Sequence, residues 1–232
     1  EANDALDETS DKAEGTKGKF ANAFEKMGTA AVKLGKVVAK GVVAGADAVA
    51  AITKQAVEAY ADYEQLVGGV ETLFGKSADI VMNYANNAYK TAGMSANEYM
   101  ETVTGFSASL LQSLDNDTEK AAQKADVAIT DMSDNANKMG SSMESIQNAY
   151  QGFAKQNYTM LDNLKLGYGG TKEEMQRLLN DAEKLSGQKF DLSSYADIVD
   201  AVHIVQTEMG ITGTTAKESA TTIQGSVSSF KA

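Results

Sequence analysis

The chain contains no cysteine, no proline and no tryptophan, one histidine (His203) and one arginine (Arg177). Without cysteine there are no disulfides, no thiolate nucleophile and no cysteine-ligated metal site. Average usage would give a chain of this length about ten prolines. Their absence leaves long helices uninterrupted and argues against a turn-rich β-sandwich. A lone histidine could bind metal only with carboxylate partners, and no spacing in the sequence arranges them around His203. Positive charge is scarce too: 21 Lys and Arg stand against 32 Asp and Glu, a net charge of −11. Such a surface repels phosphate backbones, which excludes nucleic acid as a partner. The apolar run Gly41–Thr53 contains a Gly-x-x-x-Gly pattern but lies between Lys40 and Lys54, with Asp47 in its middle. A membrane span needs about 20 apolar residues, so these glycines are read as letting another helix approach closely.

What is abundant points to helix. Alanine, lysine, glutamate, glutamine and methionine, all good helix formers, are plentiful. The fold class expected is all-α, with a long N-terminal helix followed by a compact, irregular multi-helix domain. Residues 1–19, rich in Asp and Glu with Gly15 and Gly18, read as an acidic flexible tail. Over 20–65 the apolar positions Phe20, Phe24, Met27, Ala31, Leu34 and Val38 step by four and three. That stripe continues to Tyr60 and Tyr63, a heptad-like helix roughly 65 Å long at ~1.5 Å per residue. Residues 66–232 form the folded module. The sequence opens Glu1-Ala-Asn-Asp, acidic and without a signal peptide or methionine, so a fragment of a longer chain is expected.

Beyond Gly68-Gly69 the sequence repeats a small grammar: glycine, then Ser or Thr, then Glu three residues later. The pairs are Ser95/Glu98, Ser141/Glu144, Thr171/Glu174 and Thr215/Glu218. Each has the form of a capping box, in which hydroxyl and carboxylate satisfy free N–H groups at a helix start, and the preceding glycine can end the helix before it. Between these marks lie amphipathic stripes. They are Val81–Ala92, Tyr99–Leu114, Ala121–Met139, Met143–Phe153, Met175–Leu185, Tyr195–Met209 and Ala216–Phe230. Seven such faces can enclose a core.

No residue presents itself as catalytic, cofactor-binding or metal-binding. His203 falls beside the apolar stripe of its helix and is expected at a boundary, hydrogen-bonded or half-solvated, in preference to a catalytic role. The recurring methionines, Met82 through Met209, are read as core filling in preference to an adaptable groove. Gly167-Tyr-Gly-Gly-Thr-Lys172 superficially suggests a phosphate loop, but Thr and Lys stand in reversed order and no strand signal precedes them. The reading is a tight turn feeding the Thr171 cap. Many carboxylates are present, yet nothing singles out the pair a glycosidase needs. Asn135, Asn137, Asn157 and Asn163 are candidates for buried amide bonds that fix helix register.

Four words in this order resemble the core of phage tail tape-measure proteins of long-tailed phages and prophages of Gram-positive bacteria. They are GMSANEYM (Gly93–Met100), DNANKMG (Asp134–Gly140), FAKQNYTMLDNLKLGYGGTKEEM (Phe153–Met175) and GITGTTAKESATTIQGS (Gly210–Ser226). The resemblance runs from about Leu66 to Phe230. It implies a structural virion component that sets tail length during assembly and leaves the tube ahead of the DNA at infection. It also implies no enzymatic activity and no cofactor, with tail tube proteins, tail-tip proteins and other copies of itself as partners. The places implied are the lumen of the virion tail and, during assembly, the host cytoplasm. Alternatives are a membrane-active helical protein assisting genome delivery, a segment associated with a cell-wall hydrolase, and a generic helical scaffold or secreted adhesin stalk. Membrane contact at ejection is disfavoured for this segment.

Overall fold

In the computed structural model the chain divides after Ala61, and residues 62–221, within the unit Asp62–Ala232, are the ones described. The acidic tail, most of the long heptad-like helix and the Gly41–Thr53 run lie outside them. Among the described residues all regular structure is helical.

A leading helix over 62–74 passes into a 3-10 turn, Gly75–Ser77. Then come α1 (Ala78–Thr91), α2 (Ala96–Ser113), α3 (Thr118–Met139) and α4 (Met143–Phe153). A second 3-10 turn, Leu161–Leu164, α5 (Lys172–Ser186) and α6 (Tyr195–Glu208) follow, and a closing helix occupies 214–221.

The stripes set the packing. Val81, Ala85 and Ala88 of α1 are buried, as are Tyr99, Met100, Val103, Phe106 and Leu110 of α2. On α4 the buried set is Ile146, Tyr150 and Phe153, and on α5 it is Met175, Leu178, Leu179 and Ala182. Such faces must cover one another because each leaves apolar area in water when alone. The hub is α3, which touches α1, α2, α4, α6 and both 3-10 turns. Its first half buries small residues, Ala121, Ala125 and Ala128, which let neighbouring helices come close. In its second half Asp131, Met132, Ser133, Asp134 and Asn135 are all buried, so for more than a full turn α3 is enclosed on every side.

Helix boundaries follow the expected grammar in part. Ser95 and Glu98 form a complete capping box. Thr171 accepts from the Glu174 N–H, but the Glu174 carboxylate turns instead to Gly169 N–H (3.0 Å) and Arg177. The Ser141/Glu144 assignment is off by one residue. Ser142 caps α4 by accepting from Ser145 N–H, while the Ser141 hydroxyl donates to Asn163 C=O (2.7 Å). Thr215/Glu218 is not a box at all: Thr215 lies inside the closing helix, and Glu218 accepts from Asn137. The α2–α3 turn carries no glycine; Asp115 and Asn116 take the left-handed conformation themselves (φ 52° and 61°).

Three expected core positions face water: Leu185, Met209 and, on the closing helix, Ala220. Leu185 and Met209 sit at the last turns of their helices, where no neighbour reaches over them. The methionines divide similarly: Met100, Met132 and Met175 fill the core, and Met160 and Met209 are exposed.

Candidate functional site

The largest concentration of buried polar groups lies where α3 meets α6 and the turn that follows it. Reading along both helices in the same direction, Lys124 pairs with Asp200, Asp131 with His203 and Asn135 with Gln206. The partners ascend together, so the two helices run in the same direction along this seam.

His203 places Nδ1 at 3.0 and 2.9 Å from the two Asp131 carboxylate oxygens. The Asp131 side chain is 1% exposed and that of His203 37%, which is the half-solvated boundary position read from the sequence. Burial pushes the Asp131 carboxyl up, and the bond from His203 opposes that push. In turn, the hydrogen bond to Asp131 raises His203 above the ordinary histidine value, against its own partial burial. The combination is a buried carboxyl whose burial is opposed by its bond to one partly solvated imidazole.

One turn further along α3, Asp134 is fully buried. It accepts from Gly213 N–H (2.6 Å) and Thr215 N–H (2.8 Å). The closing helix is therefore capped by a side chain 79 residues upstream of Gly213, which satisfies donors that a helix start leaves free. No local pattern could reveal this cap. The closest sequence signal was an aspartate beginning the word Asp134–Gly140.

Of the four asparagines, Asn135 alone makes fully buried amide bonds, donating to Leu164 C=O (3.0 Å) and Gln206 Oε1 (2.8 Å). Half-buried Asn163 donates to Ser145 C=O at 3.3 Å. Asn137 bonds Glu218 at the surface, and Asn157 closes a local turn on Thr159. Around Asn135 the network is incomplete. Asn135 Oδ1 is buried without a hydrogen bond, and the buried Tyr150 hydroxyl turns to Gln206.

The segment 154–171 is a compact loop braced from within. Lys165, at φ 54°, aims its ammonium at the C-terminal carbonyls of α3, Met139 and Gly140, where cations are favoured. Gly140 itself ends α3 in the left-handed conformation, which glycine adopts without penalty. At Gly170 the requirement is space: a Cβ there would lie 2.2 Å from Thr159 O. Arg177 stacks over Tyr168 (4.4 Å), donates to Gly167 C=O and forks onto Glu174. Arg177 first, then Gly169 N–H, lowers the Glu174 carboxyl below the usual range. In Gly167–Lys172 the Gly169 amide, which a phosphate would claim, is thus taken by Glu174.

A shallow groove of about 740 Å³ runs between the end of α1, α3 and the closing helix, past Tyr89, Met94, Met143 and Thr215. Polar groups along it bond one another, Ser133 to Ala92 C=O and Asn137 to Glu218. Among the described residues no group of His, Asp and Glu is arranged to hold a metal ion, and no helix is long and apolar enough to cross a membrane.

The chain matches no protein-family model, no curated protein and no solved structure.

Proposed function

We propose that residues 62–221 are an inert folded module of a phage tail tape-measure protein, whose parent chain sets tail length during assembly and vacates the tube before the DNA passes. The observation carrying this reading is how the motif words use their polar groups. Ser95 and Glu98 cap α2, Asp134 caps the closing helix, Asn135 ties α3 to α6, and Gly170, Glu174 and Arg177 brace the 154–171 loop. Motifs that serve a catalytic or ligand site leave convergent polar groups facing a cleft; these are consumed by the fold. The acidic balance supports the same reading, since a protein that leaves a channel ahead of DNA gains nothing by binding it. In this reading the partners are tail tube and tip proteins and further copies of the chain. The module resides in the tail lumen, after assembly in the host cytoplasm.

The test is made on the parent chain in virions. Inserting helical heptads elsewhere in the parent should lengthen tails, seen by electron microscopy, by about 1.5 Å per added residue. Unchanged tail length, or absence of the chain from purified virions, would overturn the proposal.

A further inference from the structure

The seam between α3 and α6 contains two buried carboxylates on successive turns of one helix, Asp131 and Asp134. They do different things. Asp134 is hydrogen-bonded by backbone N–H groups at the start of the closing helix, whereas Asp131 has the His203 imidazole as its side-chain partner. The negative charge of Asp134 acts directly on Asp131, so a change at His203 is felt at the cap one turn away.

We propose that His203 and Asp131 form a proton-operated latch that holds the C-terminal half of α6 and the 209–215 turn onto α3. With His203 charged, one of the two carboxylates is compensated and the corner is closed. With His203 neutral, two like charges remain buried a turn apart, an arrangement that low local dielectric penalises. The Nδ1–H bond can persist in the neutral tautomer, so the latch loosens without breaking a hydrogen bond outright. Movement would fall on the corner held by this seam, because α6 grips the remaining structure through apolar contacts that protons do not touch. Towards α5 these are buried Met175, Leu178, Leu179 and Ala182 on the opposing helix, and towards α2 they include the edge contact of Phe106 with Tyr195.

The charged surroundings set the sign. From α3, Asp131 favours the imidazolium and Lys124 opposes it, and on α6 itself Asp200 favours it. Lys124 is engaged by Asp200, which blunts its repulsion. Asp131 is in turn influenced by Asp134 and Asp200, and the buried Tyr150 hydroxyl of α4 lies within its field. Because the His203 value is raised in the folded chain, the pair's contribution is complete below the ordinary 6.5. It is lost as pH rises through the higher folded value. The latch is closed under mildly acidic conditions and loosens on the alkaline side.

Amide hydrogen exchange of the full 232-residue chain at pH 6 and pH 8.5, corrected for intrinsic rates, tests the latch. Protection of the 203–208 amides, Gly213 and Thr215 should fall several-fold at the higher pH while α1 and α2 hold theirs. In His203→Gln, a neutral donor at both pH values, protection of this corner should not change with pH. Being the only histidine, His203 also gives one unambiguous imidazole NMR titration, which should lie above 6.5 even if the variant fails to fold. A titration at or below 6.5, an equal loss of protection in all helices, or the same pH response in His203→Gln would overturn the proposal.

Discussion

Replacing Asp134 by alanine should unfasten the closing helix and cost far more than the loss of an ordinary helix cap. In the native chain the fully buried carboxylate accepts from Gly213 N–H and Thr215 N–H at 2.6 and 2.8 Å. Hydrogen bonds to a charged group contribute about 1.5–3 kcal/mol each, and a buried donor left unpaired loses its hydration as well. Two such bonds give about 3–5 kcal/mol after allowing water some access to the turn once the helix frays. A conventional cap replaced by alanine costs about 1 kcal/mol. For a chain of this size each kcal/mol moves Tm by about 2–4 °C, so the melting temperature should drop by about 10 °C. Asp134→Asn keeps one acceptor and should lose about half as much. Urea denaturation followed by circular dichroism on the full chain measures both variants. An alanine variant within about 1 kcal/mol of the wild type would refute the claim that a side chain of α3 caps the closing helix.

Other substitutions probe other joints. Gly170→Ala drives a Cβ against the Thr159 carbonyl; it should destabilise by about 2–3 kcal/mol, and an unchanged denaturation midpoint would show that the loop yields freely. Gln156 is exposed at φ 57°, where a side chain is strained. Gln156→Gly should therefore raise stability by up to about 1 kcal/mol, and a lower Tm would contradict the strain argument. Asn163→Leu removes one long, half-buried bond to Ser145; its Tm should fall by an amount equivalent to about 1 kcal/mol or less, and no fall would dismiss Asn163 as a register residue.

The sequence made the apolar architecture legible because helix burial repeats with a fixed period. Tyr99, Met100, Val103, Phe106 and Leu110, read as one face of a helix, are buried together in α2. Capping was legible only where it is local. Ser95 and Glu98 act within one turn of each other, whereas Asp134 reaches the closing helix through the folding of everything between. A glycine-based grammar also misses turns in which Asp115 and Asn116 accept positive φ. Conversely, it misreads Gly170, present for close approach to Thr159 and not for helix termination. The polar seam was half visible. Asn135 and His203 drew attention by residue type, while Asp131 and Gln206 carry no local sign of burial, which comes from the enclosure of α3 over Asp131–Asn135.

That enclosure raises the question of why α3 retains Asn135 where a leucine would fill the same space. Its amide meets Leu164 C=O and Gln206 Oε1, yet Asn135 Oδ1 goes without a partner, so the pair gains less than a fully satisfied network would. A role in fixing register predicts a specific pattern in a double-mutant cycle. Asn135→Leu alone should cost about 2–4 kcal/mol, because Gln206 and the Leu164 carbonyl are left buried without a donor. Adding Gln206→Leu should restore part of that loss, with a coupling of about 1–2 kcal/mol. Stability and uniqueness should then part company. In the double variant only the Lys124–Asp200 and Asp131–His203 pairs still oppose a slide of α6 along α3, and NMR should show doubled or broadened resonances between them and the 206 end of the seam. A double variant with a single sharp set of resonances would mean that apolar packing and the two remaining pairs fix the register, and that the buried amides are tolerated where they stand without directing the fold.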